Sequence, residues 1–90
     1  MLIVKAQEGQ SIQVGDRTIK VVAGVSPGVV SVRVDGEDDL ILIGWDRKLM
    51  IFPDVHVTVP RTAGFSQIIR FLFDAPKSIR IRDLPYDASK

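Results

Sequence analysis

β-Branched residues at alternate positions constrain this chain more than any other feature. It contains twelve valines and ten isoleucines but only six leucines and five alanines, a usage that suits pleated strands and lowers helix propensity. Apolar and polar residues alternate in segments such as 11–14, 31–34, 55–59 and 78–82, as they do in strands with one buried face. No window shows a convincing helical period, so the sequence predicts an all-β fold with little or no helix.

Turn signals rich in glycine and proline divide the chain into nine predicted strands. These are residues 1–6, 10–15, 18–25, 29–35, 39–44, 48–52, 55–59, 67–73 and 78–83. Short antiparallel strands spaced about ten residues apart are typical of a barrel or a sandwich. Two apolar runs, 40–43 and 68–73, do not alternate. We expect them to be buried on both faces or packed across a subunit contact.

Length and composition exclude several classes of protein. Ninety residues predict a single domain. The chain has no cysteine and one histidine, so we expect neither a disulfide framework nor a metal or other cofactor. No apolar run is long enough for a membrane span and no secretory signal is recognisable, so a cytoplasmic protein is expected. Nothing in the residue spacing points to an enzyme.

The net charge of +1 conceals an asymmetry between the two halves of the chain. Residues 1–45 carry four basic and six acidic side chains, whereas residues 46–90 carry eight basic and five acidic ones. Three of the basic residues, Lys77, Arg80 and Arg82, lie within six positions of one another. A local basic patch is therefore compatible with a nearly neutral total.

Segments at both ends of the chain carry a family resemblance. Near the amino terminus they read Met1-Leu2-Ile3-Val4, Glu8-Gly9-Gln10-Ser11-Ile12, Val14-Gly15-Asp16 and Gly24-Val25. Further along they read Ile69-Arg70-Phe71, Asp74-Ala75-Pro76-Lys77 and residues 79–83. In order and spacing these segments resemble the carbon storage regulator family (CsrA/RsmA), small bacterial RNA-binding translational regulators.

About forty residues separate the amino-terminal group of resembling segments from the later group, and this intervening stretch has two interpretations. They form either a long insertion or a second, degenerate copy of the family unit. In the second case residues 1–36 hold strands one to four of one copy, and residues 39–83 hold strands one to five of another. The chain would then be a single-chain pseudo-dimer that is monomeric, whereas an insertion would leave a homodimer. The family pairs strand one of one subunit with strand five of the other, so the resemblance implies pairing between residues 1–6 and 78–83.

The resemblance also implies a binding surface for GGA motifs in hairpin loops of mRNA leaders. Carried over by position, this surface comprises Leu2, Val4, Lys5, Lys77, Ile79, Arg80, Ile81 and Arg82. Strand backbone and side chains can bind the exposed bases of such loops, while lysine and arginine attract the phosphates. Alternation places Arg80 and Arg82 on one face of the last strand and Ile79 and Ile81 on the other. We expect Lys5, Lys77 and the two arginines to form one compact basic rim.

Other interpretations stay open at this point. The same fold can serve as a protein-interaction module, or as a decoy that binds a host regulator instead of RNA. A small structural or assembly β protein is a further alternative. Trp45 is either a core or hinge residue or a stacking platform for a base. Residues 37–39 (Glu-Asp-Asp) are a solvated turn or a cation site.

Overall fold

The computed structural model describes residues 1–63 and 67–84. Its nine strands are β1 (Leu2–Gln7), β2 (Ser11–Val14), β3 (Arg17–Ser26), β4 (Val29–Val34), β5 (Leu40–Gly44), β6 (Leu49–Phe52), β7 (Val55–Thr58), β8 (Ile68–Asp74) and β9 (Ile81–Asp83). The described residues contain no helix, and hence none that is long and apolar enough to cross a membrane. The predicted all-β class is confirmed. The largest difference from the predicted strand bounds is at β9, which was expected over residues 78–83 and begins at Ile81. Residues 76–79 instead form a turn, in which the Ile79 amide donates to the Pro76 carbonyl at 3.0 Å.

The strands form two antiparallel sheets that are packed like a sandwich and do not close into a barrel. One sheet has the order β1-β8-β7-β6, and the other has the order β5-β4-β3-β2-β9. Their inward residues come from the alternation noted in the sequence, since successive side chains of a strand point to opposite faces. The fully buried side chains are Ile12, Ile19, Val21, Val30, Val32, Ile43, Val55, Val57, Ile69, Phe71 and Phe73, each at most 1% exposed.

The predicted pairing of residues 1–6 with 78–83 is wrong. β1 instead pairs along its whole length with β8, with Leu2 opposite Phe73 and Gln7 opposite Ile68. β9 pairs with β2 in the other sheet. This arrangement sets Val4 and Ala6, the buried residues of β1, opposite Phe71 and Ile69 of β8, and all four belong to the core. β1 and β9 still lie close together in space, at neighbouring edges of the two sheets.

Burial on both faces, expected for the two apolar runs, is also wrong within this chain. Leu40 and Leu42 of β5 are 51% and 57% exposed, and Ile68 of β8 is 59% exposed. Their inward neighbours, Ile43 and Ile69, are buried. Both strands therefore have one buried face and one accessible face; that of β5 presents Leu40 and Leu42, whereas that of β8 combines Ile68 with the charged Arg70 and Asp74. The alternative expectation, packing across a subunit contact, stays a prediction.

Candidate nucleic-acid interface

The residues of the predicted RNA-binding surface fall into three separate places. Arg80 and Arg82 lie beside β2, in what we call the arginine concavity (Gln13, Gly15, Arg80 and Arg82). Lys77 lies beside an apolar cleft between the edges of the two sheets. Lys5 lies on the outer face of the first sheet. The prediction of one compact basic rim is therefore wrong, because Lys5 lies in the first sheet, Arg82 in the second, and Lys77 in the turn between β8 and β9.

The arginine concavity is built by the pairing of β9 with β2. Arg82 is opposite Gln13, and its Nε and Nη2 both donate to the Gln13 Oε1 at 3.2 Å. The Gly15 amide donates to the Arg80 carbonyl at 2.8 Å, which fixes the approach to β9. The enclosed space measures about 180 Å³ and is lined by these four residues. Two arginines that line one small hollow form a suitable site for a phosphate or a base edge.

Ile79 and Ile81 lie on the opposite side from the arginines, as the alternation predicts. Both pack against the core, and Ile81 is opposite the buried Val14. Together with Leu2 and Lys77 they line the apolar cleft, which has a volume of about 240 Å³. The isoleucines are therefore mainly structural, since they seal the sandwich where β9 meets β1.

The side chains of β1 are not placed as the resemblance implies for an RNA-binding surface. Val4 is only 6% exposed and faces Phe71, so its side chain belongs to the core and is not available to a ligand. Lys5 is exposed and lies opposite Arg70 on β8. These two basic residues line a cleft of about 260 Å³, together with Pro60, Thr62, Ala63 and Ile68. Cross-strand neighbours of like charge repel each other, so this pair favours an anionic ligand.

Arg70 and Gln13 were not predicted as site residues from the sequence. In the sequence Arg70 belongs only to a family-like segment; its position opposite Lys5 becomes evident from the pairing of β1 with β8. Gln13 lies 69 residues before Arg82 in the chain. Only the strand pairing brings an amide oxygen to that guanidinium.

The basic side chains of these sites have few acidic partners. Among the residues that the structure describes, the ion pairs are Arg17 with Glu37 at 3.5 Å and Lys48 with Asp74 at 3.3 Å. Lys5, Arg70, Lys77 and Arg80 take part in neither. Their charges are thus left to attract phosphate groups of a nucleic acid.

Comparison with family models, curated proteins and solved structures returns no match to this chain. The assignment of a function therefore depends on the residues and on the geometry described above.

Trp45 and the acidic turn contribute little to a nucleic-acid site. The Trp45 side chain is 43% exposed, and the Arg61 guanidinium lies 4.2 Å from its ring centroid. Arg61 therefore covers one face of the ring and competes there with a base for stacking. Residues 37–39 are exposed, and no group of three or more potential metal ligands occurs among the described residues. A solvated turn is the interpretation that fits these residues.

Proposed function

We propose that this chain is a non-enzymatic RNA-binding regulator of translation, related to the CsrA/RsmA family and acting in the cytoplasm. It would bind GGA-type motifs in hairpin loops of mRNA leaders and thereby block access of the ribosome. The observation that carries this proposal is the arginine concavity. There Arg82 of β9 and Arg80, which directly precedes β9, line one hollow together with Gln13.

The chemistry of the concavity suits a base with its adjoining phosphate. A guanidinium can donate two parallel hydrogen bonds to guanine or to a phosphate, and Arg82 is already oriented by Gln13. Loop nucleotides in RNA expose the base edges that such a site contacts. Lys5 and Arg70 supply a second basic position for the backbone on the outer face of the other sheet. An RNA that contacts both would cross the edge where β1 and β9 lie close together.

A gel-shift titration with a GGA hairpin tests the proposal. We expect Arg82→Ala to weaken binding by about tenfold or more, as for the loss of one specific base contact. Arg47→Ala removes another exposed arginine, from the β5–β6 turn, and it is the matched control that should bind as the parent does. A hairpin with a scrambled GGA separates sequence-specific binding from charge attraction.

Two outcomes would count against the proposal in different ways. If the parent chain binds no hairpin at low salt, RNA binding itself is wrong. If binding persists through both the scrambled loop and Arg82→Ala, the chain binds RNA but the arginine concavity is not the specific site.

A further inference from the structure

The strand orders of the two sheets are related by a shift of four strands. The relation exchanges β1 with β5, β2 with β6, β3 with β7, and β4 with β8. Under this exchange the order β1-β8-β7-β6 of the first sheet becomes β5-β4-β3-β2, which is the order of the second sheet without β9. The registers agree with this exchange. Val4 and Ala6 face Phe71 and Ile69 in one sheet, and in the other Ile41 and Ile43 face Val32 and Val30.

β9 has no counterpart among the described strands. It lies beside β2, on the side away from β3. The exchange that relates the two sheets carries β2 to β6, so the equivalent place is the edge of β6 that faces away from β7. Within residues 1–63 and 67–84, β6 is the terminal strand of its sheet. Among the described residues, one edge is thus covered and the equivalent edge, which we call the open edge, has no neighbouring strand.

Side-chain burial differs between the two equivalent edges. β9 pairs with β2, and the Ile12 and Val14 side chains of β2 are 0% and 3% exposed. The inward residues at the two ends of β6 are Leu49 and Phe52, opposite Val57 and Val55, and both are only half-buried. Met50, on the outer side, is 60% exposed. A strand beside β6 would complete the burial of these apolar side chains.

The basic residues nearest the open edge, Arg17 and Lys48, are both paired with carboxylates, so the acidic turn of residues 37–39 determines the charge that an occupant would meet. Arg17 lies over the Phe52 ring, 4.8 Å from the centroid, and forms an ion pair with Glu37. Glu37, the first residue of the acidic turn (residues 37–39), is therefore near Phe52 at the end of β6, and its carboxylate pairs with the Arg17 charge there. The exchange of strands also places Asp39 beside the open edge. Leu2 lines the cleft beside Ile81, and its counterpart at the start of β5 is Asp39.

From these observations we propose that the open edge of β6 binds an extended segment of another protein. The segment runs antiparallel to β6, as β9 does to β2. It carries branched apolar residues at alternate positions, to cover Leu49 and Phe52, and it has a basic net charge to match residues 37–39. Recognition of this kind combines backbone hydrogen bonds along a sheet edge with pockets for alternate side chains. The proposal does not depend on RNA binding.

A peptide with the sequence of residues 75–84 of this chain is a suitable probe, because it contains the strand that occupies the equivalent edge. In a titration of the isotope-labelled full chain followed by NMR, we expect saturable shift changes at residues 38–39 and 49–52. The control peptide replaces Ile79 and Ile81 with serine and keeps the charge, and it should leave these signals unchanged.

Two protein variants test the role of charge. Reversal of both Asp38 and Asp39 to lysine should weaken peptide binding by about tenfold, since each exposed charge contributes modestly. Glu8→Lys, at the exposed turn between β1 and β2, is the matched control and should not weaken it.

Three results would overturn the proposal. The first is no change at β6 with peptide up to about 1 mM, a concentration that detects even weak binding. The second is change confined to β2, which would mean that the peptide exchanges with β9. The third is self-association of the chain through β6, detected by sedimentation and abolished by Met50→Lys, which would make a second copy the occupant.

Discussion

Gly28 provides the sharpest test of the described geometry. It follows Pro27 in the turn between β3 and β4, with a φ of 76°. Its amide donates to the Ala63 carbonyl at 2.8 Å, and its own carbonyl accepts from the Trp45 amide at 2.9 Å. A Cβ at this position would lie 2.2 Å from the Trp45 Cδ1 and 3.1 Å from the Arg61 carbonyl oxygen. The substitution Gly28→Ala therefore combines a disfavoured backbone with a steric clash.

The expected loss of unfolding free energy is the sum of a backbone term and an overpacking term. A non-glycine residue in the left-handed region costs about 1–2 kcal/mol. Displacement of a packed indole ring adds about 1–3 kcal/mol, as for other overpacking changes. The sum, about 2–5 kcal/mol, is a large share of the stability of a 90-residue domain, which is typically about 5–13 kcal/mol. Gly36→Ala is the matched control, because its φ is 89° and no atom lies within 4 Å of the added Cβ.

Urea denaturation followed by tryptophan fluorescence measures both effects. Trp45 is the only tryptophan in the chain, so the native emission also reports whether its ring has moved. We expect Gly36→Ala to lose only the backbone term and to keep the parent emission. Gly28→Ala should lose at least about 1 kcal/mol more, the lower bound of the overpacking term, and should change the emission. Equal losses for the two variants would refute the packing of Trp45 against this turn.

Two further predictions concern the core and the stacked pair. Phe71→Ala should cost about 3–5 kcal/mol of unfolding free energy, because it empties a site that is 0% exposed between the sheets. A loss below about 1 kcal/mol in the same urea assay would contradict the central position of this ring. Arg61→Ala should cost only about 0.5–1 kcal/mol, since the cation–π contact with Trp45 is solvent-exposed. It should also make Trp45 more accessible to acrylamide quenching, and unchanged quenching would contradict the stacking.

The strands were predictable because alternation is a local property of the sequence. Each strand of this chain is recognisable from a few consecutive residues, and turns such as Gly15-Asp16 and Pro53-Asp54 mark where they end. The predicted last strand began three residues before β9 does, because polar and apolar residues alternate over Ser78, Ile79 and Arg80 as they do in a strand. The Ile79 amide instead closes a turn on Pro76, and this turn could not be inferred from the alternation.

Strand pairing was not predictable in the same way, because similar valine and isoleucine patterns recur throughout the chain. What distinguishes β8 as the partner of β1 is its pair of inward rings, Phe71 and Phe73, whose centroids lie 6.4 Å apart. The same reasoning applies to the site. Alternation correctly placed Arg80 and Arg82 on one side of the chain. The position of Lys5 relative to them depends on which sheet β1 joins, and that is a property of the whole fold.

The edges of the sheets connect the fold to the proposed functions. Proteins usually protect edge strands with charged residues or proline, since an uncharged apolar edge invites pairing with other chains. β1 has Lys5 on its outer face, whereas β5 presents Leu40 and Leu42 there and contains no charged residue. The three carboxylates of residues 37–39 directly precede β5, and they oppose the parallel stacking of identical copies because like charges would meet. The same carboxylates would attract a basic strand to the neighbouring edge of β6. One acidic turn can therefore hinder self-association and favour a partner of opposite charge, while the basic residues of the other sheet edge remain available to a nucleic acid.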